Sequence, residues 1–281
     1  GSIIMTGGDL WLNQLVMGNV NTATPELNLS GTAKATISAY ANVGGSVGGK
    51  GTVSLSEGAE LNAVSLGVGS NESSQDTLSM TDTSSLTMLS GNLTAGGGSS
   101  SSGKIFVSDQ ANISALAIVL GNGASTSGLL SISGGAVSAT AMNIASGADS
   151  EGTLYISGGD VTITNAAGTA RTNLAQGANS AGSIIMTGGN LWLNQLVMGN
   201  VNTSTPLMSL SGTSKATISS YLNVGGSVGG KGTVLLAEGA RLNSAALGVG
   251  SNENSQGTLS LTGTSSLNML AGNLTAGAGK G

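Results

Sequence analysis

GLLSISGGAVSATAMNIASGADSE, residues 128–151, holds three short alternating stretches separated by Gly, Ser, Thr, Asn or Asp. Leu130 and Ile132 share one parity, then Val137 and Ala139, then Met142 and Ile144. An apolar period of two belongs to strands with one buried face. Glycine-rich punctuation this frequent leaves no room for helices of useful length. No i, i+3, i+4, i+7 stripe occurs anywhere in the chain, which removes the helical solenoids. The pattern recurs in the first unit as Ile3/Met5, Leu10/Leu12 and Leu15/Met17. In the third it is Val53/Leu55, Leu61/Ala63 and Leu66/Val68.

The theme restarts every 24–30 residues, at Gly1, Pro25, Gly51, Asp76, Gly103, Gly128, Gly152, Gly182, Pro206, Gly232 and Gly257. A longer repeat is laid over it. Residues 182–279 copy residues 1–98 at a constant offset of 181, with about four positions in five identical. The long period is therefore seven units, and the whole of 1–281 reads as one array of about eleven. A propeller blade needs four strands in roughly 40–50 residues, whereas each unit here supplies three in about 25. The spacing predicts an all-β fold, a parallel β-helix of about eleven three-strand coils. At about 4.8 Å per coil, the rod would be roughly 50 Å long and the seven-coil period roughly 34 Å. A solenoid grows in one dimension, so 281 residues need not divide into domains. The 48 glycines serve sharp corners, and the narrow interior accounts for aromatics at only 2%.

The pattern GTLxISGG, as in Gly128–Gly135 and Gly152–Gly159, resembles the glycine-rich repeats of bacterial autotransporter passengers and related surface adhesins. The resemblance covers the whole chain in kind and implies a right-handed parallel β-helix at the bacterial cell surface, acting in adhesion or as a scaffold. The crossover rule for parallel strands gives the same hand. No signal peptide or C-terminal membrane barrel accompanies the repeats in this sequence.

Composition narrows the partners. Net charge is −5 with 7% charged residues and no basic patch, which speaks against nucleic acid. No apolar run approaches a membrane span. Cysteine is absent, so disulfides and thiolate sites are excluded. With neither end carrying a polar cap, a segment of a longer repeat protein is the plainer expectation, and self-association end to end or laterally is expected beside it.

Several motifs imitate chemistry. Gly44–Gly51 reads GGSVGGKG, and Gly225–Gly232 is identical. It approximates a phosphate-binding loop, but the residues that follow, Thr52–Leu55, begin a strand rather than a helix, so it is expected to be a corner with a solvated Lys50. The GxSxG around Ser46 has the spacing of a nucleophile elbow, yet the chain contains no histidine to act as its base. Glu72/Asp76 and Asp149/Glu151 are the carboxylate pairs nearest to a calcium site, with solvated turns the plainer reading. No catalytic, cofactor or metal residue is assigned.

Two outward rows remain. On the second strand, Trp11, Thr36, Asn62, Thr87, Ser114, Ser138, Thr162, Trp192, Thr217, Asn243 and Asn268 should stack in one uncharged line. It lacks acid–base groups but could hold a sugar face. On the first strand, Ile4, Phe106, Tyr155, Ile185 and Leu235 interrupt a polar row and form a candidate contact stripe with the two tryptophans. Extra residues near Asn165–Thr172, with Arg171 among them, predict a protruding loop. The function expected is an extracellular, non-enzymatic scaffold, adhesin or filament subunit without cofactor. A carbohydrate-binding surface rod is the alternative, and a β-helix polysaccharide enzyme the third reading.

Overall fold

The computed structural model describes residues 1–18 and 23–277, and within them every strand pairs in parallel with its counterpart one coil away. The described strands fall into an 11-stranded sheet and a 14-stranded sheet. The first is face one of the coil; the second wraps faces two and three. Ser102–Val107 pairs Gln75–Met80 on one side and Ser127–Ile132 on the other, so Gly103, Asp76 and Gly128 are aligned.

Inside, like stacks on like. Leu29, Leu55, Met80, Val107, Ile132 and Ile156 form one continuous column through successive coils, all buried. Val137/Ala139 and Met142/Ile144 are buried on the other two faces as their parity requires. In parallel stacking every inward side chain lies between two neighbours along the axis, which is how a thin rod acquires a core.

One expectation is refined. Strands two and three are not separated by a turn in most coils but form one bent strand, such as Glu60–Val68. Leu61, Ala63, Leu66 and Val68 point inward, and the bend is made by two successive outward residues, Val64 and Ser65. The parity flips without the ladder ending, although Ser38 and Ala39 together face the single residues Asn13 and Val64 in a small register irregularity at this bend. The strand does break at Gly91, where a Cβ would lie 2.6 Å from the Val64 carbonyl oxygen.

The return from face three to face one is a column of left-handed residues. Gly44, Gly69, Gly96 and Gly121 have φ of 80°, 74°, 71° and 71°, and Ala145 and Ala175 continue the column at 56° and 57°. The amide that follows each third strand normally donates to the last carbonyl of the coil before, as from Gly96 to Val68 at 2.9 Å and from Gly121 to Ala95 at 2.8 Å.

Candidate functional site

The fold lays every sequence-predicted site residue on an outer face, but not on a single one. Trp11 and Trp192 belong to face two, in a register row with Thr36, Asn62, Thr87, Ser114, Ser138 and Thr162 between them. Seven coils separate them, roughly 34 Å along the axis. Their surroundings differ. Trp11 is 71% exposed in the first coil, whereas Trp192, flanked by Thr162 and Thr217, is only partly exposed.

Ile4, Phe106, Tyr155, Ile185 and Leu235 belong to face one. Tyr155 and Ile185 are direct neighbours, Phe106 is two coils from Tyr155 across Ser131, and Leu235 is two coils from Ile185 across Ser209. Ile4 stands apart, cut off by Asn28, Ser54 and Ser79. Two members of this band were missed in the sequence. Leu129 and Leu207 lie two residues earlier on the same outer face, level with the Phe106–Leu235 stretch. Their shared parity with Ser131 and Ser209 was the available signal.

The Asn165–Thr172 segment is placed differently from the expectation in one respect. The loop itself spans 164–170 and is closed by the Gly168 amide donating to the Asn165 carbonyl at 3.0 Å. Arg171 is not in it. That residue opens the strand Arg171–Leu174 and pairs with Gln195, because the ladder resumes as soon as the coil can follow its neighbour again. The loop covers Asn194, which accepts the Asn165 amide at 2.9 Å and is buried, while its copy Asn13 is exposed.

Asp76 is not a solvated turn residue. It is 3% exposed, and its two carboxylate oxygens accept the Gly51 amide at 2.6 Å and the Gly69 amide at 3.1 Å. The Gly69 amide thus goes to a side chain where other coils use a ladder carbonyl; Gly250, its copy, donates to Val224 at 2.9 Å. The carboxylate fits only because Gly44 lacks a Cβ, which would overlap it. Burial pushes the Asp76 carboxyl up to about 6, against the lowering effect of the amides. Its oxygens are engaged with the corner and do not form a pair with Glu72. Among the described residues no group of three His, Cys, Asp or Glu side chains converges on a point.

At the GGSVGGKG segments no helix follows: Thr52–Leu55 and Lys231–Leu236 are strands, and Lys50 is exposed on a corner. The one ion pair among the described residues, Lys34 Nζ to Glu60 Oε2 at 2.8 Å, is surface-exposed. The Glu60 carboxylate raises the Lys34 pKa by accepting its hydrogen bond. At the matching positions of the second long repeat stand Lys215 and Arg241, two cations in adjacent coils.

A third outward row, on face three, was read in the sequence only as punctuation. It runs Val16, Asn42, Gly67, Thr94, Val119, Asn143, Asn173, Val197, Asn223, Gly248 and Thr275. At Gly67 and Gly248 the row has no side chain of its own, and the hydroxyls of Ser70 and Ser251 fold into the place. No protein-family model, curated protein or solved structure matches the chain. Among the described residues no helix is long and apolar enough to cross a membrane. The architecture is that of a parallel β-solenoid repeat protein.

Proposed function

We propose that the protein is a rod-like structural scaffold of the bacterial cell surface, serving as an adhesin stalk or filament subunit. The observation that carries this reading is the uninterrupted register: the Leu29–Ile156 column and the outer rows continue coil on coil, and the surface repeats with the seven-coil period. Such a stack lengthens without limit to its cross-section and presents the same features at fixed intervals. The extracellular placement rests on the resemblance to passenger repeats and on the cysteine-free, weakly charged composition. The non-enzymatic reading rests on exposed rows of Ser, Thr and Asn, which offer no acid–base pair for glycoside chemistry.

Association is part of the same proposal. The apolar band from Phe106 to Leu235 and the repeated tryptophan offer lateral contacts. Electron microscopy of the purified protein tests the reading. Rods roughly 50 Å long, alone or joined into fibres, are expected; compact particles without a long axis would overturn it. Trp11→Ser with Trp192→Ser should loosen side-by-side contacts while leaving the coils intact, and unchanged association would remove the tryptophans from the interface.

A further inference from the structure

Gly67 and Gly248 sit in two grooves on face three, of ≈ 520 Å³ and ≈ 510 Å³. They are the same groove twice, at the offset of 181. Asn42, Gly67, Ser70, Asn92 and Thr94 line the first; Asn223, Gly248, Ser251, Asn273 and Thr275 line the second. Every one of these pairs is identical, although the two long repeats differ elsewhere on the surface, as at Asp9/Asn190, Ser54/Leu235 and Glu60/Arg241. Of the polar lining side chains, Ser65 alone is replaced, by Ala246.

We infer that this duplicated groove is a binding site for a neutral saccharide unit, one site per long repeat. The physical argument starts from the floor. A Cβ on Gly67 would overlap Ser70 Oγ, and a Cβ on Gly248 would lie 2.6 Å from Ser251 Oγ and 2.7 Å from Asn223 Oδ1. Glycine is required for the corner serine to fold over the strand, and the flat floor follows from that. The walls are the next side chains of the row, Asn42 on one side and Thr94 on the other, two coils or about 9.6 Å apart. The corner serine takes the place of the missing side chain, so the groove is a shallow depression over it, open to solvent between the two walls.

The chemistry of the walls selects the ligand. Elsewhere in the row neighbouring amides satisfy each other, as Asn173 Nδ2 donates to Asn143 Oδ1 at 2.9 Å. Among the described residues the Asn92, Thr94, Asn273 and Thr275 side chains form no such bond; Thr94 and Thr275 stand beside Gly67 and Gly248, and Asn92 and Asn273 stand two residues earlier on the same outer face. Amides and hydroxyls that both donate and accept match a polyol. None of the described lining residues is Asp, Glu, Lys or Arg, so neither a charged sugar nor an anion is selected. An aromatic ring flanks the polar floor: Tyr221 lines the second groove, and Tyr40 sits in register beside Ser65 of the first. Tyr40 is steadied by its hydroxyl donating to Gln14 Oε1 at 3.0 Å. A few placed polar groups beside an apolar ring is the usual composition of a small-ligand site. Two weak sites roughly 34 Å apart would gain from a polymeric ligand through avidity. This inference stands independently of whether the rods assemble.

The test is titration of the whole chain with neutral tetrasaccharides of glucose, mannose and galactose, followed through the side-chain amide NMR signals. The Asn92 and Asn273 signals should move together with at least one of these sugars, with a dissociation constant on the order of 1 mM or tighter. Asn42→Ala with Thr94→Val should abolish the Asn92 response while the Asn273 response persists within the same molecule, which also shows that the variant is folded. Trp11→Ser with Trp192→Ser should change neither. No amide response up to ~10 mM sugar, a response confined to the tryptophan indoles, or shifts that follow protein concentration alone would each overturn the site.

Discussion

Replacing Asp76 by Gly gives coil four the residue that coil eleven carries at Gly257, and it isolates the energetics of one interior carboxylate. The ionised side chain is desolvated at the corner, and the two amides only partly compensate. Its pKa rises from 3.8 in the unfolded chain to about 6 in the rod. The folded state therefore takes up the proton first as pH falls. The stability linked to this group is fully present below pH 3.8 and is lost as pH rises through about 6. At 1.36 kcal/mol per unit the loss is ~2–3 kcal/mol between pH 4 and pH 7. Asp76→Gly removes that dependence and leaves the Gly69 amide free to reach the Val43 carbonyl, as Gly250 reaches Val224. The measurements are a carbon NMR titration of the Asp76 carboxyl and urea unfolding of both proteins from pH 4 to pH 7. The variant should gain on the parent as pH rises, most steeply at about pH 5, midway between the two pKa values, and level off above about 6. A stability difference independent of pH, or a carboxyl titrating near 4, would refute the reasoning.

Ile132→Asp buries an unpaired carboxylate within the column formed with Val107 and Ile156 and should cost several kcal/mol, while Ser131→Asp on the outer face should be nearly neutral. Thermal unfolding of the two variants checks this, and equal losses would contradict the alternation. Ala145→Val places a β-branched side chain at a buried φ of 56° and should lower stability by ~2–4 kcal/mol, against a far smaller change for Ala145→Gly, by the same assay. Arg241→Glu should recreate beside Lys215 the ion pair that Lys34 makes with Glu60, giving a small rise in melting temperature that disappears in high salt.

The coil phase was legible because each unit closes on glycine and begins a new parity, so Leu130/Ile132 and Val137/Ala139 could be turned inward with no structure in hand. The outer rows followed from the same phase, down to Trp11 and Trp192 in one line. What escaped depended on stacking between coils. Val64 and Ser65 look like a turn in one dimension, yet the ladder carries them round a bend. Gly67 looks like punctuation, yet it lies within a strand and opens a groove only because Asn42 and Thr94 flank it. Asp76 looks like a solvated carboxylate, and its true place follows from Gly44, 32 residues earlier, which makes room for it. The one clue in the sequence was its position in an alignment column otherwise held by Gly or Pro.

The near-identity of the two long repeats bears on how the chain finds its register. Every coil contact joins residues about 25 apart, so folding can nucleate at any coil and spread in both directions. Coils one to four and coils eight to eleven, however, present almost interchangeable stacking surfaces to whatever arrives next. A coil resembling coil five can settle on coil eleven nearly as well as on coil four, within one molecule or between two. Synthesis from the N-terminus suppresses this error, since coils five to seven are laid down before their competitors exist. Refolding from denaturant removes that order, and swapped or slipped species offset by a whole long repeat become the natural by-product.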